Sequence, residues 1–475
     1  MRTSIRSSPW RRAASAAVGL CVLLATETGA RDLEDILRDK NVIDATEANE
    51  AKAAREKEQA ATEKAIASIP PFPEWLKMVT LFGDVRIRNE AFFQDGTTDR
   101  IRQRFRLRFG AKVNPTDEME FGFKLASGNS NDPISNNQTF TDEFTFKSIN
   151  IANAYVKLSP SHSIGLDRPW VTVMGGKFDQ PFYVPPTPNQ LVYDPDLTPE
   201  GFFETIKAVD QKDGVLRTLA LNLGQFIFQE NSNTGEAAIY GFQGLMTLAF
   251  DKVQFNLAPA DYHYVDPSSI AVARNTNSSL QITNCVQLSD KEVICGKSVN
   301  PATAGPNKNG MTSPVVDPVT GEVITPAQPI TITRFVSPFN VVDIPMDLLI
   351  PTGLPKWPVR IFGDYAINTE ARSSAANQGY QGGFSVGSSK DSGDVMFSYA
   401  YESLDTDAVV SAFANSDTGP IGGTNVKGNI LQAGYTLTKN LSLLSTAYIT
   451  KPVDDVPGLN KNTAVRWQVD LIGKF

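Results

Sequence analysis

The sequence has few of the residues on which soluble enzymes and metalloproteins depend. Three cysteines and two histidines occur among its 475 residues. His162 and His263 belong to no recognisable arrangement of nucleophile and base, and the paired cysteine spacings of zinc sites are absent. We therefore predict that the protein is not an enzyme and has no metal site and no cofactor.

The chain also lacks an excess of basic residues and, beyond its N-terminus, any long apolar run. Its formal net charge is -8, which argues against nucleic acid as a partner. Because no helical hydrophobic span follows the N-terminal run, a membrane protein with this sequence must be a β-barrel; otherwise the chain is soluble.

The first 30 residues have the form of an export signal. Arginines at positions 2, 6, 11 and 12 precede an apolar segment, 13–25, that is too short to span a membrane comfortably. Small residues follow, and Thr28-Gly29-Ala30 is an acceptable cleavage site. We predict a signal peptide over 1–30, so that the exported chain begins at Arg31; an uncleaved anchor is the alternative.

The exported chain keeps two cysteines, Cys285 and Cys295. An even number of cysteines in an oxidising compartment favours pairing. We therefore predict a disulfide between these two residues.

Residues 31–73 are predicted to form a periplasmic helix and a Pro-rich linker. The segment is rich in Ala, Glu and Lys, which are strong helix formers, and Pro70, Pro71 and Pro73 end the helix. Alanines at heptad-like spacing would allow a small coiled coil. Glu58 interrupts that spacing, and a solvated helix or tether is the favoured interpretation.

Polar and apolar residues alternate from residue 79 onward. Val85 and Ile87 lie on one face of a strand, while Arg86 and Arg88 lie on the other. One face suits lipid and the other needs water, so we predict an all-β fold over 74–475, a transmembrane antiparallel β-barrel. The predicted strands number about sixteen: 79–94, 100–113, 118–127, 147–158, 170–179, 202–210, 214–228, 237–250, 253–264, 338–350, 358–368, 378–389, 392–403, 425–437, 441–450 and 464–475.

Short and long connections alternate between these strands. Residues 114–117, 211–213 and 251–252 read as periplasmic turns, whereas 128–146, 180–201, 265–337 and 404–424 read as external loops. The final strand carries apolar residues at alternate positions and ends on Phe475. We predict that this residue is the signal by which the outer-membrane assembly machinery recognises the barrel.

Several motifs in order give the chain a family resemblance. They are Gly83-Asp84-Val85-Arg86-Ile87-Arg88, the arginine-rich run 100–108, Gly175-Gly176-Lys177-Phe178, Asp194-Pro195-Asp196-Leu197-Thr198-Pro199-Glu200-Gly201, Tyr399-Ala400-Tyr401-Glu402 and the terminal Phe475. The chain resembles the putative porins of Gram-negative bacteria, relatives of the phosphate-selective porins. The resemblance implies a sixteen-stranded, trimeric barrel in outer-membrane lipid. The lysine-rich rings expected of a phosphate channel are not evident.

A ladder of basic residues is the sharpest candidate for a functional site. It consists of Arg86, Arg88, Arg102, Arg104, Arg106, Arg108 and Lys112, on one face of two adjacent strands. Rings of charged side chains set the selectivity of pores, so the ladder predicts a cationic pore wall that attracts anions. A lumen face closed by salt bridges, without selectivity, is the alternative.

Asp194, Asp196 and Glu200 lie in the third predicted external loop. A carboxylate cluster facing the arginines would create a transverse field at a constriction. An ordinary surface turn and a calcium site with oxygen ligands are the alternatives.

Taken together, the predicted barrel and its charged residues indicate passive diffusion of small hydrophilic solutes, preferentially anions. The rival functions are a non-conducting structural or adhesive barrel plugged by the 265–337 loop, and a secreted soluble β-protein.

Overall fold

The computed structural model describes residues 74–475 except 231–235, 268–269, 271–284, 290–291, 296–309, 312–314, 317–322, 326–328, 331–334, 336, 373, 419–422 and 455–459. Two compact units divide the chain, Met1–Glu74 and Trp75–Phe475. The predicted signal peptide lies outside the described residues. So does the predicted periplasmic helix, apart from three residues, 46, 49 and 53, which are helical. No helix in the described part is long and apolar enough to cross a membrane.

Besides shorter strands in its connections, the second unit has sixteen long strands, which form its barrel. They are β1 Val79–Gln94, β2 Arg100–Thr116, β3 Met119–Ser127, β4 Ile149–Leu158, β5 Val171–Lys177, β6 Glu200–Asp210, β7 Leu216–Gln229, β8 Ala237–Phe250, β9 Val253–Leu257 with Ala260–Val265, β10 Asn340–Asp343 with Met346–Ile350, β11 Val359–Asn368, β12 Gln378–Gly387, β13 Val395–Leu404, β14 Val426–Thr438, β15 Leu441–Lys451 and β16 Ala464–Lys474. Short 3-10 helices occupy Glu74–Met78, Asp142–Phe144 and His162–Ile164.

Each strand pairs antiparallel with its neighbours in the chain, and β16 pairs with β1, so the sheet closes on itself. The predicted sixteen-stranded barrel is thus confirmed, with every predicted end within three residues of the observed one. Unbroken strands at 253–264 and 338–350 were the wrong expectation. Pro259 and Pro345 lack an N–H group for the ladder, and β9 and β10 are each interrupted beside them.

The terminal residue helps to close the barrel. Gly83 and Phe475 exchange two backbone hydrogen bonds, at 3.0 and 3.1 Å. A Cβ on Gly83 would lie 2.5 Å from the Phe475 ring, so only glycine leaves room for that ring here. The ring also stacks on Phe109 of β2. Phe475 therefore holds the seam between the last and first strands.

The alternation seen in the sequence separates the two faces of the wall. Leu81 and Ile101 on the outer face are 59% and 61% exposed, whereas Arg88 and Glu90 on the inner face are buried. An outer apolar face with a polar interior is the arrangement of a membrane barrel.

The four longest connections, 128–148, 178–199, 266–339 and 405–425, all follow odd-numbered strands, whereas no even-numbered strand is followed by more than the twelve residues 159–170. These four connections contribute apolar residues to the interior, and most of these residues come from 178–199 and 405–425. Phe182, Leu191 and Val409 are each at most 3% exposed and belong to one buried cluster with the inward-facing Phe203 and Tyr262. An inward third loop was expected; the inward course of 405–425 was not. The described residues of the 265–337 connection include a ladder in which Cys285 lies opposite Cys295.

A pair of glycines sets the course of the 178–199 connection. Gly176 is the second-last residue of β5 and lies opposite Gly201 of β6, and both have positive φ. A Cβ on Gly201 would lie 1.9 Å from the Gln225 carbonyl oxygen, and one on Gly176 would lie 2.3 Å from that of Ala154. Only glycine fits this conformation, at the point where the chain leaves the wall for the interior.

Candidate pore constriction

Seven arginines form one wall of the lumen, on three neighbouring strands. In the ladders around β1, Arg88 lies opposite both Arg104 of β2 and Asp470 of β16. Alternate side chains point to the same face of a strand, and the inward set contains Arg86, Arg88, Arg102, Arg104, Arg106, Arg108 and Arg466, which we call the arginine wall.

Arg88 makes the most complete ion pair in the arginine wall. Its Nε and Nη2 donate to the two carboxylate oxygens of Asp470 at 2.7 and 2.8 Å, a bidentate geometry that is strong and directional. Its Nη1 donates to Asp417 Oδ2 at 3.2 Å. Because Asp417 belongs to the 405–425 connection, this guanidinium joins the barrel wall to an inward loop.

Glu90 is a fully buried carboxylate at the centre of the wall. It accepts hydrogen bonds from Arg102 Nε, from Arg466 Nε at 2.7 Å and from Gln468 Nε2 at 2.9 Å. Arg466 also donates to Asp417 Oδ1 at 2.6 Å. A buried charge is tolerated when it is paired and hydrogen-bonded, and these donors meet that requirement.

Asp84 and Asp196 neutralise the end of the wall nearest the barrel's short turns. Asp84 accepts from Arg106 Nε at 2.9 Å and from Arg108 Nε at 2.6 Å. Asp196, from the 178–199 connection, lies 3.8 and 3.7 Å from the Nη1 atoms of the same two arginines. The predicted meeting of this loop residue with the arginines is therefore present in the structure.

Arg86 and Arg104 are the least neutralised members. Their nearest carboxylate oxygens, on Asp470 and Glu90, are 3.8 and 3.9 Å away. Arg86 Nη2 donates to Asn137 and Arg104 Nη2 to Ser135. Neither Nε atom has a hydrogen-bond partner within the described part of the chain. Both Nε atoms are buried, so a solute that contacts these guanidinium groups must do so through their Nη atoms.

The two aspartates of the third connection have opposite electrostatic surroundings. Burial and the neighbouring Asp196 charge raise the pKa of Asp194 well above its ordinary value. Burial also opposes ionisation of Asp196, but Arg106 and Arg108 lower the pKa of this carboxyl below its usual range. The surroundings therefore favour the ionised form of Asp196 and the protonated form of Asp194.

Two predicted site residues lie apart from the arginine wall. Glu200 begins β6, and its Oε1 accepts from Lys177 Nζ at 2.9 Å. Its placement beside Asp196 in a constriction loop needs correction, because the strand starts two residues earlier than predicted. Lys112 is half-exposed, 3.5 Å from Glu120 Oε1, and lines a separate cavity towards the short turns.

Acidic side chains line the inner face of β10, β11 and β13, which are seven, six and four strands away from β1 across the seam with β16. Asp343, Asp347, Asp364 and Glu402 are all buried there. Asp347 pairs with Arg360 and accepts from the Tyr183 hydroxyl.

Comparison with known proteins identifies the barrel. Residues 92–294 and 358–475, more than half of the chain, match the family described as Putative porin. The chain belongs to this family. The porin is an outer-membrane channel protein of bacteria, as its family and its closed barrel together establish. No curated protein matched its sequence.

Solved structures similar to the porin include OprB of Pseudomonas putida at high pH, with 12% identity, coverage of 84% of this chain and 95% of that chain, and a TM-score of 0.48. A second similar structure is Salmonella typhi OmpF in complex with daunomycin, with 9% identity, coverage of 84% of this chain and 97% of that chain, and a TM-score of 0.44. A third is the outer membrane channel DcaP of Acinetobacter baumannii, with 12% identity, coverage of 84% of this chain and 97% of that chain, and a TM-score of 0.41.

Sequence reasoning missed several members of the porin's constriction. Arg466 and Asp470 alternate with the apolar residues of the last strand, so the period of two, together with barrel closure, would have placed them beside β1. Asp417 carries a weaker signal: it follows the apolar run 408–414, which is unusual for an external loop and indicates burial.

Proposed function

We propose that the porin passes small hydrophilic solutes by passive diffusion and prefers anions. One observation carries the preference. Seven guanidinium groups of the arginine wall meet five carboxylates, those of Asp84, Glu90, Asp196, Asp417 and Asp470. The surplus is positive, and Arg86 and Arg104 lie farthest from compensation. Charged pore walls of this kind attract ions of opposite sign.

In this proposal an anion replaces part of its hydration shell with guanidinium N–H donors as it passes Arg86 and Arg104. Charge-assisted hydrogen bonds of this type are short and strong, so the loss of water costs a hydrophilic anion little. An apolar solute gains no such replacement.

Reversal potential across a planar bilayer in a salt gradient tests the preference. Replacing Arg86 and Arg104 together by Gln removes both least-neutralised charges, and we expect the anion-to-cation permeability ratio to fall. A matched control is Lys439→Gln, which removes a positive charge from an exposed turn between β14 and β15. A ratio that is the same in the double variant and the wild type contradicts the preference.

A second candidate function is a non-conducting structural barrel. The observation in its favour is that apolar residues of 178–199 and 405–425 fill part of the lumen. Single-channel recording separates the two functions, because discrete open steps require a continuous aqueous path and a plugged barrel gives none.

We also propose that the porin is a homotrimer, as the family resemblance implies, and that the barrel-assembly machinery inserts it. Light scattering of the detergent-solubilised protein measures the mass of the assembly directly. A monomeric mass under conditions that keep the barrel folded contradicts the trimer.

A further inference from the structure

A cavity of about 460 Å³ lies inside the barrel, between the root of the 178–199 connection and the short turns. Its lining comes from the inner faces of β1 to β6. This volume is within the range of sites that bind small organic ligands, and the cavity is separate from the arginine wall described above.

The walls of the cavity are largely apolar. Phe82 of β1, Met174 of β5 and Phe203 of β6 contribute side chains, and Phe178 covers the end nearest the connection. Phe178 is almost fully buried and packs edge-on against Phe226. These side chains suit an apolar or aromatic body, because ligand sites combine such walls with a few placed polar groups.

Three lysines supply the positive charge of the cavity lining: Lys112, Lys157 and Lys207. Lys112 lies 3.5 Å from Glu120, whose carboxylate also accepts from the Tyr155 hydroxyl at 2.7 Å. Lys207 pairs with Asp210 at 2.6 Å. Lys157 also lines the cavity, and no carboxylate within the described residues lies within ion-pair distance of it.

Lys157 also lines a second cavity of about 320 Å³ at the rim formed by the β2–β3 turn. Its ammonium group therefore stands where the rim cavity and the apolar cavity meet. The lining of the apolar cavity carries three lysines against two carboxylates, Glu120 and Asp179, and Glu120 lies opposite Lys157 in the β3–β4 ladder. This surplus of one positive charge beside apolar walls matches one negative charge on an apolar body, since an ion that leaves water needs an opposite charge there.

We propose that this cavity binds amphipathic monoanions, a carboxylate on an apolar or aromatic body, with Lys157 holding the carboxylate and Phe82, Phe178 and Phe203 surrounding the body. The inference rests on the proposed function for access to the lumen. It narrows the solute class from anions in general to organic acids of this shape.

Benzoate is the probe. Acetate, which lacks the ring, and benzyl alcohol, which lacks the charge, are the control compounds. In planar bilayers, we expect benzoate to block the chloride current at concentrations at which acetate and benzyl alcohol do not. Lys157→Gln should raise the half-blocking benzoate concentration about tenfold, the effect of losing one charge-assisted contact. Lys439→Gln should leave it unchanged.

Equilibrium dialysis of radiolabelled benzoate against the detergent-purified barrel measures binding without any current. A chloride current that benzoate does not block, together with no binding in dialysis, overturns the site and leaves the channel function standing. Absence of current with retained, Lys157-dependent binding overturns the channel function and supports the site. Equal binding by wild type and Lys157→Gln also overturns the site. Heat-modifiable migration of each variant on gels shows that the barrel has formed.

Discussion

Asp417 is the residue whose replacement tests the constriction most directly. Its carboxylate contacts Arg466 at 2.6 Å and Arg88 at 3.2 Å. Burial opposes its ionisation, but these two guanidinium groups lower the pKa of Asp417 below its ordinary value. The residue is therefore charged at neutral pH, and Asp417→Asn removes a full negative charge while keeping the shape of the side chain.

The size of the effect follows from Coulomb's law. One unit of charge about 6 Å from a passing ion in water-filled space, at 0.1 M salt, changes the energy of that ion by about 0.4 kcal/mol. The change has opposite signs for anions and cations, so the anion-to-cation permeability ratio should rise about three- to fourfold. At 1 M salt the Debye length is about 3 Å, and the rise should shrink to about 1.4-fold.

Reversal potentials at the two salt concentrations measure both of these changes in the anion-to-cation permeability ratio. The matched control is Asp142→Asn, which removes a negative charge from an exposed connection where Asp142 pairs with Lys147. Asp417→Asn also releases one tie between 405–425 and the wall, which would raise conductance without changing selectivity. An unchanged permeability ratio in a folded, conducting variant refutes the claim that the arginine wall selects ions.

Four further outcomes are expected. Asp196→Asn should raise the anion-to-cation ratio at neutral pH more than Asp194→Asn does, because burial and the Asp196 charge raise the pKa of Asp194 and favour its protonated form. Raising the pH favours the ionised form of Asp194 and should lower the ratio in the wild type relative to Asp194→Asn, and a pH-independent ratio in both would contradict the assignment. Deleting Phe475 should slow barrel assembly in pulse-chase experiments, whereas Phe475→Tyr, which keeps the ring over Gly83, should assemble normally; equal rates for all three would exclude a role for this residue. Cys285 and Cys295 should resist alkylation until the native exported protein is reduced, because paired residues of an antiparallel ladder have Cα separations that a disulfide accepts; labelling of the unreduced protein would disprove the bond. N-terminal sequencing of the protein from outer membranes should begin at Arg31, and an intact Met1 would disprove cleavage.

The barrel could be predicted because its determinants are local. Each strand carries its own alternation, and the turn at 251–252 follows from two adjacent residues. The interior could not be predicted in the same way. Asp417 reaches Arg88 only because 405–425 folds inward, and that course depends on packing of Val409 and Val410 against residues distant in sequence. The alternation shows that Arg88 faces the lumen, but it does not identify the carboxylate with which Arg88 pairs, because tertiary structure brings that carboxylate into place.

The interruptions in β9 and β10 could be predicted from the sequence only in part. Pro259 and Pro345 were visible in the sequence, yet period two continues on both sides of each proline. The Ala258 N–H donates across the gap to the Pro345 carbonyl oxygen at 3.0 Å. The two breaks are therefore neighbours in the sheet, and one compensates for the other.

The seam between β1 and β16 has a consequence for the order of folding. Arg88 and Asp470 are separated by 382 residues, and Glu90 and Arg466 by 376. Contacts of such sequence separation form late, since the whole intervening loop must be closed first. Until the last strand arrives, the inner face of β1 holds arginines and Glu90 without these partners. A chain that lacks its final strand leaves Arg88 and Glu90 without these partners, so we expect any barrel that it forms to be less stable.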